Sequence, residues 1–249
     1  MTDDLLVARA WSLWEQMATV PVSLPTNGGV AIAVSPGSRL CPPSWAGVVR
    51  LGDAALITVP DAAQASLFGR VLAEVKVECL VRASTLRSRM PVLEVLGPAV
   101  LAYLSKDDFR PVSHGAAVTT LPSGHEDLLA LAESVGSDDA AESGIDDIDS
   151  PAFVVRDAQE ILAVAGYQTW PASTAHLCVL TAPQWRDRGL ARQVASAAVA
   201  HALDAGLLPQ WRARPEASRR VAAALGFREI GDQLSVRLTQ ASEGGYSGS

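Results

Sequence analysis

Thr181-Ala-Pro-Gln-Trp-Arg-Asp-Arg-Gly-Leu-Ala-Arg192 joins a short apolar run to an alanine-rich stretch through a turn that contains arginine and glycine. Residues 176–181 are mostly apolar and β-branched, which predicts a strand, and residues 190–205 predict a helix. The first N–H groups of a helix have no partner within the helix. A glycine that leaves space there, with Arg186 and Arg188 beside it, predicts a site for a phosphate or pyrophosphate.

This pattern also fits an ordinary strand-to-helix turn whose arginines are solvated, so the residues that follow matter. Residues 207–213 predict another strand and residues 215–225 a helix. Pro215 at the helix start and Gly226 just past its end stand where helix geometry favours these residue types. Residues 227–230 and 234–238 predict two more short strands, joined through Gly231 and Asp232.

The stretch from about residue 151 to residue 238 resembles the GNAT superfamily of acetyl-CoA-dependent N-acetyltransferases. Two sequence elements of that superfamily occur here in the expected order. The R-x-x-G-x-G/A signature corresponds to Arg186, Gly189 and Ala191, and the S-x-x-x-A-x-x-L-G-F element corresponds to Ser218, Ala222, Leu225, Gly226 and Phe227. The resemblance implies an α/β (α+β) protein with a mixed, twisted sheet and a GNAT fold in its carboxy-terminal half.

The resemblance also implies acetyl-CoA as cosubstrate and identifies the residues that would hold it. Backbone N–H groups of the turn would bind the pyrophosphate, and the free edge of the preceding strand would pair with the pantetheine arm. Ser218 would contact the ligand from the second element. The cofactor-binding residues expected on this basis are Val179, Leu180, Thr181, Arg186, Asp187, Arg188, Gly189, Leu190, Ala191 and Ser218.

Two positions depart from the superfamily pattern. Pro215 stands where an asparagine is common, and Ala222 stands where a tyrosine often acts as general acid. The usual proton donor is therefore absent. Transfer does not strictly require that donor, because a thiol pKa of about 8.5 to 9 lets the CoA thiolate leave with modest help.

Acetylation of an amine requires a neutral amine and a route for its proton. His176 has a suitable intrinsic pKa for a base, Glu160 offers a carboxylate, and Tyr167 is a substitute proton donor. Each also fits a purely structural role. Cys178 lies between apolar neighbours, which is typical of a small buried side chain rather than a nucleophile, so direct transfer without an acyl-enzyme is expected.

An acidic segment at residues 137–149 precedes the signature. Glu142, Asp146 and Asp147 would attract a cationic amine if this segment flanks the acceptor site, and Trp211 would contact the substrate from the strand after the cofactor helix. Two other interpretations stay open: the segment is a solvated linker, and Trp211 is a core residue.

Composition narrows the class of protein. The chain has 249 residues and a net charge of −7, which disfavours nucleic acid as a partner. Three widely spaced cysteines without a Cys/His pattern indicate neither a disulfide framework nor a metal site. The amino terminus is acidic and lacks a signal-peptide pattern, and residues 92–104 are too short to span a bilayer. A soluble, cytoplasmic protein is expected.

The amino-terminal half predicts strands at residues 30–34, 46–50 and 54–59 and a helix at residues 62–75. It resembles the amino-terminal region of some bacterial GNAT proteins, as a degenerate GNAT-like fold or a lid. The expected domains are residues 1–120, a GNAT domain at 121–240 and a flexible tail at 241–249. The expected function is acetyl transfer to a primary amine of a small molecule or peptide; the alternative is a non-catalytic acyl-CoA-binding or protein-interaction module. The sequence does not fix the oligomeric state.

Overall fold

A computed structural model describes residues 3–23, 28–112, 117–158 and 160–239. The helices are α1 (Asp3–Met17), α2 (Ala62–Leu72), α3 (Ala83–Arg87), α4 (Glu126–Val135), α5 (Ser137–Ser143), α6 (Leu190–Asp204) and α7 (Glu216–Leu225). The strands are β1 (Gly29–Val34), β2 (Ala46–Leu51), β3 (Ala54–Val59), β4 (Val92–Tyr103), β5 (Thr119–Leu121), β6 (Ala152–Asp157), β7 (Glu160–Trp170), β8 (Thr174–Thr181), β9 (Leu208–Ala213) and β10 (Arg228–Leu238). The predicted mixed α/β class is confirmed. The expected tail at residues 241–249 lies outside the described residues.

Two sequence-based expectations need correction. The two short strands predicted at residues 227–230 and 234–238 are one strand, β10, because Gly231 and Asp232 continue the extended backbone instead of forming a turn. The acidic segment is not a solvated linker. It forms α5 and a 3₁₀ turn at Ile145–Asp147, and the apolar side chains of Ile145 and Ile148 anchor it in a core.

The chain divides into two compact units that interleave along the sequence. The first unit comprises Met1–Gln16 and Ala99–Gly231, and the second comprises Met17–Pro98 and Asp232–Ser249. The sequence-based prediction instead divided the chain into consecutive segments with a boundary at residue 120. The assignment of functions to those domains stays a prediction.

In the first unit the strand order is β4-β9-β8-β7-β6-β5. Neighbouring strands are antiparallel except for β8 and β9, which are parallel. Because successive side chains of a strand point to opposite faces, β8 contributes to two cores. Leu177 packs with α6 on one face, and Cys178 and Leu180 pack with α4 on the other.

In the second unit β3 lies between β1, to which it is parallel, and β2, to which it is antiparallel. Helix α2 begins after Asp61, whose side chain accepts a hydrogen bond from the backbone N–H of Gln64 at 2.8 Å. Such a cap satisfies one of the unpaired donors at a helix start. Phe68 and Val71 of α2 pack in a core with β2, β3 and residues of β10.

Candidate functional site

Strands β8 and β9 stop pairing partway along their length. Their parallel ladder runs from Thr174↔Leu208 to His176↔Gln210. Among the described residues it ends there, although β8 continues to Thr181 and β9 to Ala213. We call this point the fork. Beyond it, residues 177–181 of β8 remain paired with β7 on one side but have an edge free of β9 on the other.

A cleft of about 550 Å³ opens beyond the fork. This volume lies within the usual range of ligand sites. Strands β8 and β9, the connections that follow them, and helices α5, α6 and α7 all contribute to its walls. The lining residues are Asp139, Glu142, Ser143, Leu177, Val179, Leu180, Thr181, Trp185, Arg186, Asp187, Gly189, Leu190, Ala191, Arg192, Trp211, Arg212, Pro215, Ala217, Ser218, Arg220, Val221 and Ala224.

The connection from β8 to α6 delivers the start of that helix to the cleft. Gly189 is the N-cap residue of α6, has a φ of 77°, and provides no side chain to cap the first turn. A Cβ atom placed on Gly189 would meet no other atom within 4 Å. Space is therefore open beside Gly189, and an anion bound there would satisfy the N–H groups of the first turn of α6, which has no side-chain cap.

A second helix also begins at the cleft. Pro215 is the N-cap residue of α7 and makes no side-chain cap, and Ser218 lies in the first turn. The indole Nε1–H of Trp211 donates to Ser218 Oγ at 2.9 Å. Because this bond occupies the oxygen as an acceptor, the hydroxyl proton of Ser218 is available to another acceptor. Trp211 is only 4% exposed and also packs edge-on against Phe227, so it is both a core residue and a cleft residue.

Two acidic side chains of helix α5 form ion pairs with the two loops that flank the cleft. Asp139 accepts a charged hydrogen bond from Arg186 in the β8–α6 connection at 2.6 Å. Three residues further along α5, Glu142 forms an ion pair with Arg214 in the β9–α7 connection. The sequence analysis did not single out Asp139. The signal was present, because acidic residues three positions apart lie on one face of a helix.

The three side chains predicted to act in catalysis do not line the cleft. Glu160 is exposed at the start of β7 and accepts a hydrogen bond from Gln184. Tyr167 is buried, its hydroxyl lies 2.9 Å from Nδ1 of His201, and burial followed by the charge of Asp149 raises its pKa.

The His176 imidazole stacks on the ring of Trp170, with ring centroids 3.9 Å apart. Its pKa falls to about 3, mainly because the ring is desolvated and also because Arg212 carries a positive charge nearby. The ring is therefore neutral near pH 7.

The other predicted residues divide between the cleft and its surroundings. Arg188 lies outside the lining and stacks over the Trp185 ring at 4.5 Å, and exposed Asp146 and Asp147 are also outside it. The remaining predicted residues line the cleft: Val179, Leu180, Thr181, Arg186, Asp187, Gly189, Leu190, Ala191, Ser218, Glu142 and Trp211. Arg192 and Arg220, which the sequence analysis missed, add positive charge on α6 and α7.

Thr181 lies at the end of the free β8 edge and has a hydroxyl oxygen, Oγ1, in its side chain. Its Oγ1 is buried and makes no hydrogen bond to the described residues. A buried hydroxyl without a partner costs free energy, which a polar ligand lying along this edge would recover. The lining therefore fits an elongated ligand with an anionic end.

The described ranges of the chain contain no group of three or more His, Cys, Asp or Glu side chains placed to hold a metal ion. No helix among them combines the length and hydropathy that crossing a bilayer requires.

The sequence model of the family named GNAT acetyltransferase matches residues 151–232. No curated protein matches the chain. Among solved structures, a GCN5-related N-acetyltransferase from Kribbella flavida shares 19% identity, with a TM-score of 0.46 over 63% of each chain. An acetyltransferase of the GNAT family from Colwellia psychrerythraea shares 11% identity, with a TM-score of 0.48 over 96% of this chain and 98% of that chain. This chain thus spans less than two thirds of the Kribbella protein, and likeness at such identities concerns the fold alone.

Proposed function

We propose that the chain is an acyltransferase that moves an acetyl group from acetyl-CoA to a primary amine; the match of the GNAT acetyltransferase family model to residues 151–232 supports this proposal. The observation that carries this proposal is the continuity between the free edge of β8 and the uncapped start of α6. An elongated ligand with a main-chain-like arm and a pyrophosphate has matching groups in the same order along the cleft.

Different residues of the cleft would bind different parts of acetyl-CoA. The free edge at Val179, Leu180 and Thr181 would hold the pantetheine arm, and the first turn of α6 would hold the pyrophosphate. Arg186 and Arg192 add positive charge beside that turn. Ser218, oriented by Trp211, would donate its hydroxyl proton to the ligand from the opposite wall.

Bound acetyl-CoA would supply the acyl group, with one C–N bond formed, one C–S bond broken and CoA released as free thiol. The chain's own part is to bind the reactants and to orient them. Among the described residues the lining contains no Cys, and it contains no His, Lys or Tyr that would activate the hydroxyl of Ser143, Thr181 or Ser218 as a nucleophile. We therefore propose direct transfer, with the acceptor amine entering beside α5. We also propose that the protein is cytoplasmic.

The direct test is calorimetric titration of acetyl-CoA, followed by free-thiol release in the presence of a panel of primary amines. The panel should contain polyamines, amino acids, aminoglycosides and peptides with a free N-terminus. We expect binding, and thiol release that depends on one class of amine. Binding without thiol release would favour a non-catalytic acyl-CoA-binding module. No binding at all would contradict the proposed cosubstrate.

Asp139→Asn should tighten acetyl-CoA binding. Asp139 holds Arg186 in an ion pair whose side chains are about half exposed, so its loss releases a cation to the ligand and removes a competing anion. Exposed pairs contribute less than about 1 kcal/mol, so we expect the Kd to fall about two- to fivefold at low salt. Asp138→Asn is the matched control, because it removes the same charge from α5 at a position outside the lining. An equal effect of both variants, or none, would show that the pair does not compete with the ligand.

Cys178→Ala should leave acetyl transfer within about twofold of wild type, since turnover does not need a nucleophile in direct transfer. Cys178 is 1% exposed, and burial together with the negative charge of Asp147 raises its pKa to about 12, so the thiolate is scarce at neutral pH. Initial rates of thiol release measure the effect. A loss greater than a hundredfold in a variant with unchanged melting temperature would contradict direct transfer and indicate an acyl-cysteine.

A further inference from the structure

The last pair of the β8–β9 ladder is joined by its side chains as well as by its backbones. His176 and Gln210 face each other in register, and Nδ1 of the histidine lies 2.5 Å from Oε1 of the glutamine. Gln210 is fully buried. The bond thus stands at the fork, where the two strands stop pairing and the cleft opens.

Packed aromatic rings hold both members of this pair. Trp170 stacks on His176 with an angle of 14° between the rings, and Trp14 packs edge-on against Trp170 at 6.3 Å. The Trp14 Nε1–H donates to the Tyr103 hydroxyl at 2.7 Å, and Tyr103 lies opposite Gln210 in the β4–β9 pairing. Side chains from α1, β4, β7, β8 and β9, all in the first unit, therefore meet at one point.

The network is built to keep one geometry. A ladder of three residue pairs is short, and among the described residues no further β8–β9 pair follows His176 and Gln210. His176 is half-buried and Gln210 is fully buried, so the hydrogen bond between them is stronger than one in water, and breaking it removes a partner from a polar atom of buried Gln210. The neutral state of His176 near pH 7 leaves one ring nitrogen as donor and the other as acceptor, so the bond persists.

We propose that His176 and Gln210 are positioning residues whose side-chain bond fixes the point at which β8 and β9 separate, and so sets the width of the cleft that binds acyl-CoA. This inference rests on the proposed function. It assigns His176 a role that acts through the strands rather than on the reacting atoms. It also explains why a half-buried histidine and a fully buried glutamine are paired outside the cleft lining.

The test compares leucine variants, which remove the bond, with a variant that preserves it. His176→Leu and Gln210→Leu should each raise the KM for acetyl-CoA about tenfold with little change in kcat, because the cleft is less well formed before binding. His176→Asn keeps a nitrogen near the position of Nδ1 and should stay within about threefold of wild type. The double leucine variant should be little worse than either single one, since both remove the same bond.

Gln233→Leu is the matched control, because it also replaces a buried glutamine, on β10 in the second unit, and should leave the KM unchanged. Leucine variants with a wild-type KM would overturn the proposal. So would a His176→Asn variant that loses kcat with an unchanged KM, since that result identifies an acid or base. If the leucine variants do not fold, Gln210→Asn, which withdraws the amide by one methylene, should raise the KM in the same way; an unchanged KM would again overturn the proposal.

Amide hydrogen exchange of the ligand-free protein separates this inference from the proposed function. In His176→Leu the amides of residues 174–176, Leu208 and Gln210 should exchange faster than in wild type, whereas His176→Asn should not change them. Unchanged exchange in His176→Leu would overturn the positioning role. Faster exchange in a protein that never binds acetyl-CoA would instead overturn the proposed function while leaving the fork assignment standing.

Discussion

Gly189→Glu is expected to raise the Kd for acetyl-CoA at least about a hundredfold, because the new carboxylate would occupy the proposed anion site itself. Gly189 opens α6 into the cleft, and a Cβ atom there meets nothing within 4 Å, so the fold has space for the side chain. The glutamate would accept hydrogen bonds from the first turn of α6 and repel the pyrophosphate. Calorimetric titration of acetyl-CoA measures the change.

The control for this variant is Gly206→Glu at the opposite end of the same helix. Gly206 has a φ of 75°, compared with 77° for Gly189, and a Cβ atom there also meets nothing within 4 Å. Both variants therefore carry the same backbone strain and the same added charge, but only Gly189 lines the cleft. Equal loss of binding in the two variants would show that strain or net charge, rather than an occupied anion site, is responsible.

Gly226→Ala is expected to lower the free energy of unfolding by about 3 kcal/mol or more, the sum of backbone strain and a forced displacement. Gly226 closes α7 with a φ of 98°, a conformation that side chains other than glycine rarely adopt. An added Cβ would lie 2.0 Å from the carbonyl oxygen of Asp108, so backbone must move. Urea denaturation of the variant and the wild type measures the difference.

Gly206→Ala separates the two contributions, since it introduces a side chain at a similar φ with open space around it. We expect a cost of about 1 kcal/mol there. If Gly226→Ala costs no more than Gly206→Ala, the approach of Asp108 to Gly226 is looser than the structure shows.

Local sequence signals predicted the strand, turn and helix that build the proposed anion site. The residue types at positions 186–191, between an apolar strand and an alanine-rich helix, fix a chain reversal and a helix start with little help from the rest of the fold. Pro215 and Gly226 similarly mark the ends of α7. These features depend on backbone conformations that few residue types adopt, so they can be predicted from one amino-acid sequence.

Features that depend on distant pairing escaped the sequence analysis. Asp139 and Arg186 are 47 residues apart, and although the acidic face of α5 was visible in the sequence, its pairing with Arg186 depends on how α5 packs against the core that contains Cys178 and Leu180. The fork has no local signature either, because Gln210 and His176 each have ordinary strand neighbours. Gly231 and Asp232 pointed to a turn, but the sheet carries β10 straight through them, a case of tertiary structure overriding a weak local preference.

The free edge of β8 beyond the fork has one more consequence. Unpaired strand edges expose main-chain donors and acceptors on which other polypeptides can assemble, and proteins usually blunt or cover them for that reason. Side chains of α5, α6 and α7 line the same space as residues 177–181, so a foreign strand would have to displace them before it could pair. The unpaired main-chain groups of β8 can thus bind a slender ligand without offering other protein molecules a template for aggregation.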